Sequence, residues 1–279
     1  MGCMTLFPEN KLTLFAQPGY ERIAAGTAHA LGISVILKLE QIATDYYLDY
    51  GDGGLSLVKQ PGSGGGKTAS RVAISCDFVT GASRHRRLYG GGIRQALARQ
   101  PEAVGLSGNF KPLVADLTAG LGRDSFVLAS LGARVILIER NSAVSALLAD
   151  GLDRLRQRAT LDAVLADISG RLTLCKADAK DWLSDFDEQD RPDAIYLDPM
   201  FPERGKSANV KKEMAIFHDV VGDDADADAL LEAALEVAHY RVVVKRPRRA
   251  PPLADRTPGF AIDGKTTRFD IYPLKKIPR

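Results

Sequence analysis

The sequence predicts an α/β fold, an open and mostly parallel sheet with helices on both faces, preceded by a small β-rich part. Three observations carry this prediction. From Pro112 onward, short apolar runs such as LVADLT, RVILIE and AIYLDP recur with little polar alternation, as strands buried on both faces do. Helical patterns stand between them, so strand and helix alternate along the chain. Before residue 80 the pattern is instead one of short strands separated by glycine-rich turns. The 279 residues are long for one domain and short for three. The expected organisation is a small β-rich N-terminal domain over 1–80, a linker and helix over 81–111, and an α/β domain over 112–279.

In chain order, ISVILKL is a candidate buried strand, and YYLDYGDGGLSLVKQ reads as two strands around the turn Gly51-Asp52-Gly53-Gly54. RVAISCDF alternates apolar and polar as a further strand would. RHRRLYGGG, a basic cluster ending in three glycines, and the short helical stretch IRQALARQ make the linker. In the larger domain LVADLT is a strand, DSFVLASLG a helix, RVILIE a strand and NSAVSALLADGLDRLRQRA a helix. LTLCKAD and AIYLDP are strands, ADALLEAALEVAH is a helix, and RVVVKRP and TRFDIYPL are the last strands. In such sheets ligands bind beyond the carboxyl ends of the strands, so the chemistry is expected there.

Composition excludes several classes. An apolar share of 45% and a charged share of 26% are those of a globular chain with a packed core. No apolar run approaches the roughly 18–20 residues needed to cross a bilayer. The stretch MGCMTLFPENKL lacks the basic start and apolar core of a secretory signal, and Leu6 stands where a myristoylation signal needs Ser or Thr. The expectation is a cytoplasmic protein with no membrane contact. Three widely spaced cysteines and four histidines form no CxxC, HxxxH or HExxH, so no metal is expected and the thiols read as small buried groups. The net charge of +2 averages an acidic stretch, GDDADADALLEAALE, and a basic end from Arg241 onward. That end fits either a solvated face or a phosphate-binding one.

The first strand of the larger domain runs into Asp116-Leu117-Thr118-Ala119-Gly120-Leu121-Gly122-Arg123-Asp124. Gly120 and Gly122 allow a tight strand-to-helix turn and close approach of backbone to a ligand. Glu139 follows Gly120 by 19 residues, at the end of the next strand, where a carboxylate can accept both ribose hydroxyls of an adenosine. NAD and S-adenosylmethionine would both satisfy that carboxylate. A dinucleotide needs glycine at position 125, which is Ser125, and Asp124 would repel a pyrophosphate at the helix N-terminus. The sulfonium cofactor is the better fit. Asp178, ending the third strand, is either an adenine contact or the N-cap of AKDWLSDF. Gly62 to Thr68 resembles a phosphate-binding P-loop, but Pro61 occupies the first glycine position and a strand follows where a helix is required.

The fourth strand ends in Asp198-Pro199-Met200-Phe201-Pro202, similar to the Asp/Asn-Pro-Pro-aromatic motif of methyltransferases acting on exocyclic amines. Such an amine has its lone pair delocalised into the ring. Asp198 and the Pro199 carbonyl can accept its N–H bonds, prolines hold these acceptors rigidly, and Phe201 can stack on the base. A strand-end turn with a core phenylalanine would use the same residues; downstream of Gly120, Gly122 and Glu139 the catalytic role is favoured. No cysteine nucleophile follows Asp198-Pro199, which argues for an amine target. Two basic segments follow strand ends: Lys206, Lys211 and Lys212 after the fourth, and Lys245, Arg246 and Arg248 after the fifth. With Arg84, Arg86 and Arg87 they are candidates for nucleic-acid phosphate contacts.

DLTAGLGRDSFVLASLG, ERN, ALLADGL, YLDPMFPERGKSANVKKEM, RVVVKRPRRAPPLAD and RFDIY together resemble the RsmJ family, over residues 80–279 and more loosely before them. That resemblance implies a Rossmann-like S-adenosylmethionine-dependent methyltransferase fold and methylation of a guanine N2 amine in 16S ribosomal RNA, free or in the small ribosomal subunit. It also implies cofactor contacts at Arg123-Asp124, Glu139-Arg140, Asp178-Ala179 and Asp198. N6-adenine methylation and an RNA-binding ribosome assembly factor are the alternatives; intact Gly120, Glu139 and Asp198 argue against the second.

Overall fold

The computed structural model describes residues 12–60, 72–80, 94–199, 216–217, 219–222 and 226–278. The chain forms two compact units, one of Met1–Cys76, Asn141–Arg154 and Glu203–Asp223, the other of Asp77–Arg140, Leu155–Pro202 and Asp224–Arg279.

The strands of the first unit are β1 (Thr13–Ala16), β2 (Ser34–Ile36), β3 (Tyr46–Gly51), β4 (Gly54–Lys59) and β5 (Val72–Ser75), in the sheet order β2-β1-β3-β4-β5. The expectation of strands and turns alone fails at α1 (Glu21–Leu31). ERIAAGTAHAL has no side-chain cap at Tyr20 and carries Gly26, so it lacks a helix start signal. It is a helix because β1 and β2 pair in parallel and need a crossover between them. It buries Ala24 and Ala28, one turn apart, and ends at Gly32 with a φ of 66°. ISVILKL is also not a buried strand. Only Ser34–Ile36 pairs, at the sheet edge, and Leu37 and Leu39 are 61% and 48% exposed. The hairpin of β3 and β4 forms as read, with Gly51 opposite Gly54 and Asp52-Gly53 between them. Asp150 holds it in place, accepting the Tyr50 hydroxyl at 2.7 Å and the Leu55 N–H at 3.0 Å, and pairing with Arg154 at 2.9 Å. The glycine-rich loop lies outside the described residues; the segment after it is the strand β5.

The second unit holds β6 (Leu113–Asp116), β7 (Arg134–Ile138), β8 (Leu172–Cys175), β9 (Ala194–Leu197), β10 (Arg241–Pro247), β11 (Phe260–Asp263) and β12 (Thr267–Pro273), ordered β11-β12-β10-β9-β6-β7-β8. From β8 to β10 the pairs are parallel, and β12 runs against β10 and β11. The helices along this part of the chain are α2 (Arg94–Val104), α3 (Arg123–Ser130), α4 (Ser142–Ala159), α5 (Ala163–Ser169), α6 (Ala179–Asp185) and α7 (Ala227–Val237). Of these, α6 and α7 pack with Ala115, Ile138, Ile195, Leu197, Val242 and Val244 in one apolar cluster. Helices α2 and α3 also contact the sheet, α2 along β9, β10 and β12, α3 along β7 and β8. All four residues of β6 and of β9 are buried, as central strands covered on both sides must be. The chain leaves β6 toward β7 and β8, then returns to place β9 on the other side. That reversal opens a crevice beyond the carboxyl ends of β6 and β9, where an open α/β sheet binds its ligand.

Candidate active site

The loop after β6 supplies one wall of the crevice. Gly120 and Gly122 have φ of 53° and 67°, left-handed conformations that a side chain would strain. Gly122 is the N-cap of α3. Asp116, at the end of β6, accepts the Thr118 N–H at 3.2 Å and the Ser125 hydroxyl at 2.5 Å. Only 2% of it is exposed, and these two bonds brace the loop from within. Burial, with the charges of Asp124 and Asp198, pushes its carboxyl up to about 7 against the lowering effect of its hydrogen bonds.

Glu139 ends β7. Its Oε2 accepts the Gly120 N–H at 2.9 Å, so this carboxylate and the glycine turn are fixed together. A carboxylate has about four acceptor positions, so this bond is compatible with hydroxyl donors from a ribose. Arg140 pairs with Asp226 at 3.1 Å and lies 3.9 Å from Asp178. Burial alone would raise the Asp226 carboxyl, but Arg140 and Lys180 hold it below its ordinary value. Asp178 caps α6, accepting the Lys180 N–H at 2.9 Å. Ala179 turns its methyl into the apolar cluster, leaving only its backbone for a ligand. Arg123, the first residue of α3, is exposed.

Asp198 follows β9. Its N–H donates to the Thr118 hydroxyl at 2.7 Å, and Pro199 behind it is buried. Its Oδ2 accepts from Lys245 Nζ at 2.7 Å, and the same ammonium reaches Asp124 Oδ2 at 2.8 Å. Tyr196, fully buried, donates its hydroxyl to Asp124 at 2.7 Å. Burial, then the charges of Asp124 and Asp198, raise the Tyr196 phenol well above its usual range, so it is a permanent donor.

Two of the basic candidates are engaged within the protein. Lys245 is committed to two carboxylates, and Arg246, 4% exposed, donates to the Pro251 carbonyl at 3.0 and 2.7 Å. Arg248 and Arg249 are exposed. Phe201, Lys206, Lys211, Lys212, Arg84, Arg86 and Arg87 lie outside the described residues. Tyr196 was not singled out by sequence reasoning: in AIYLDP it reads as one more apolar strand residue.

The carboxylates Glu139, Asp124 and Asp198 and the left-handed glycine turn gather at one strand edge. That donor set suits a cation bearing ribose hydroxyls and an ammonium, as S-adenosylmethionine does, and disfavours a pyrophosphate. Among the described residues no group of three His, Cys, Asp or Glu side chains could hold a metal ion, and no helix is long and apolar enough to cross a membrane.

A family model described as "Putative SAM-dependent methyltransferase" matches residues 43–274. Ribosomal RNA small subunit methyltransferase J of Ectopseudomonas mendocina is 50% identical over 234 residues, covering 84% of this chain and 85% of its own. The protein of that name from Stutzerimonas stutzeri is 46% identical over 260 residues, 93% of this chain and 94% of its own. Among solved structures, a SAM-dependent methyltransferase from Neisseria gonorrhoeae is similar with a TM-score of 0.65 at 33% identity, covering 94% of this chain and 95% of that one. The chain therefore belongs to the family of S-adenosylmethionine-dependent methyltransferases that includes ribosomal RNA small subunit methyltransferase J, and S-adenosylmethionine is its cofactor.

Proposed function

We propose that the protein methylates the exocyclic N2 amine of a guanine in 16S ribosomal RNA, in the cytoplasm. The observation that carries this reading is Asp198, held at the end of β9 beside the crevice by Thr118 and Lys245. The name of its relatives supports ribosomal RNA of the small subunit as the substrate, and the resemblance of DPMFP and its flanks supports guanine N2. Glu139 would hold the ribose and the glycine turn would cradle the amino-acid end, with Asp124 facing its ammonium. When bound, S-adenosylmethionine supplies an electrophilic methyl group, whose arrival leaves the amine with one proton too many. Asp198 and the Pro199 carbonyl accept the amine N–H bonds, drawing the nitrogen toward tetrahedral geometry and taking up its growing charge. Phe201 would stack on the base and set the angle of attack.

The test is incubation with labelled cofactor and unmodified small-subunit RNA, free and in particles, followed by nucleoside mass analysis. The expected product is N2-methylguanosine. Label on adenine N6 would replace the base assignment, and no labelled nucleoside would remove the reading. Asp198→Ala should lower the single-turnover rate by roughly 100-fold or more while RNA affinity holds, and Asp198→Asn, which keeps one acceptor oxygen, should fall between.

A further inference from the structure

Strands β9 and β10 run in parallel with Leu197 opposite Val244, so the next residues of each, Asp198 and Lys245, emerge side by side at the ligand edge. Lys245 then does not reach outward. Its ammonium lies 2.7 Å from Asp198 and 2.8 Å from Asp124, and Asp124 is held from the other side by the Tyr196 hydroxyl. The lysine side chain is 24% exposed and that of Asp198 is 39% exposed. The cation is therefore less exposed than the carboxylate it serves.

We propose that Lys245 is a positioning residue for methyl transfer, bridging Asp124 and Asp198 so that Asp198 faces the amine as an oriented, ionised hydrogen-bond acceptor. This rests on the reading of the site as that of an amine methyltransferase. Three physical points support it. An ammonium in contact with a carboxylate stabilises the ionised form, so Asp198 accepts hydrogen bonds well and takes protons poorly. The proton displaced from the methylated nitrogen is then released to water. One cation shared between two carboxylates also leaves the cluster net negative, which matches a cationic cofactor without the repulsion of two unscreened acids. Burial opposes the lysine charge, but Asp198 and Asp124 outweigh it and raise the ammonium above its ordinary range, so it stays charged at any working pH. It faces Asp124 from α3 and Asp198 just after β9, and those two carboxylates are in turn coupled to Tyr196 on β9 and Asp116 on β6.

Lys245→Gln keeps an N–H donor for the carboxylates and removes the charge; Lys245→Arg keeps the charge and can bridge two acids. Single-turnover methylation of ribosomal RNA is measured across the acid and neutral range at saturating cofactor and RNA. RNA affinity, its salt dependence and thermal unfolding are measured alongside. For Lys245→Gln the expected result is a rate about tenfold lower or more. The acid limb of its rate profile should move to higher pH, because Asp198 must then stay ionised unaided, while RNA affinity and salt slope stay put. Lys245→Arg should recover most of the rate and the wild-type limb. An unchanged rate and limb in Lys245→Gln would overturn the proposal. So would a rate that falls only with the folded fraction, which marks a purely structural ion pair, or a salt slope reduced by one contact, which marks a phosphate ligand. If the wild type methylates no amine, the functional reading fails instead, and that outcome is seen before any variant is made.

Discussion

Glu139 is buried and holds the glycine turn with one oxygen, so its removal costs that bond as well as any bond to the cofactor. Glu139→Ala should weaken S-adenosylmethionine binding by about 1–3 kcal/mol, through lost charge-assisted hydrogen bonds and a released Gly120 N–H. Glu139→Gln keeps an acceptor for Gly120 and loses only the charge, so it should fall between. Calorimetric titration of the cofactor measures both, and wild-type affinity in a folded alanine variant would put the ribose elsewhere. Residues such as Gly120, Gly122, Glu139 and Asp198 are legible in the sequence because their chemistry demands a particular residue type at a strand end. Lys245 and Tyr196 are not. Lysine in KRPRR reads as one more surface charge, and only the register of β9 against β10 brings it to Asp198, 47 positions earlier. Asp116 heads the same motif, and what its sequence position does not tell is its bond to Ser125.

The loop that follows β10 shows how an element presents charge. Arg268 donates to the carbonyls of Arg248 at 2.8 Å and Ala250 at 2.7 Å, while Arg246 takes the carbonyl of Pro251. Arg268 is itself anchored on the buried Asp270 at 2.7 Å. Two arginines are thus spent holding backbone, and Arg248 and Arg249 are left exposed on a braced loop. We propose these two as contacts for RNA phosphates. Neutralising both should flatten the salt dependence of RNA binding by roughly one to two contacts' worth of slope and leave cofactor affinity unchanged. An unmoved slope would make them a solvated face. At this scale β6, β7 and β9 are readable as short apolar runs, and α4 and α7 because their apolar residues recur with helical spacing. The short elements escape. Helix α1 has no N-terminal capping side chain, β11 is an exposed four-residue edge, and β2 borrows its strand character from pairing with β1. Their conformation comes from the neighbours they pack on rather than from local pattern.

The stability of the whole molecule carries the signature of a buried acid. Asp116 ionises near 3.8 when solvated, but burial, reinforced by Asp124 and Asp198, pushes it up to about 7 in the fold. Between those values the unfolded chain has already released a proton that the folded chain retains. Stability therefore falls as pH rises: the contribution is whole below 3.8 and is lost as pH climbs through about 7. The largest loss consistent with that separation is about 4 kcal/mol, at roughly 1.4 kcal/mol per pH unit. Asp116→Asn isolates it. The amide is neutral at every pH, can still accept the Thr118 N–H, and can donate to the Ser125 oxygen in place of accepting from it. All other titrating groups are common to both proteins, so the difference between their denaturant midpoints reports Asp116 alone. The asparagine variant should gain on the wild type steadily from acid to neutral pH, then hold a constant lead once Asp116 is ionised. Parallel curves over that range would mean that Asp116 has the same charge folded and unfolded.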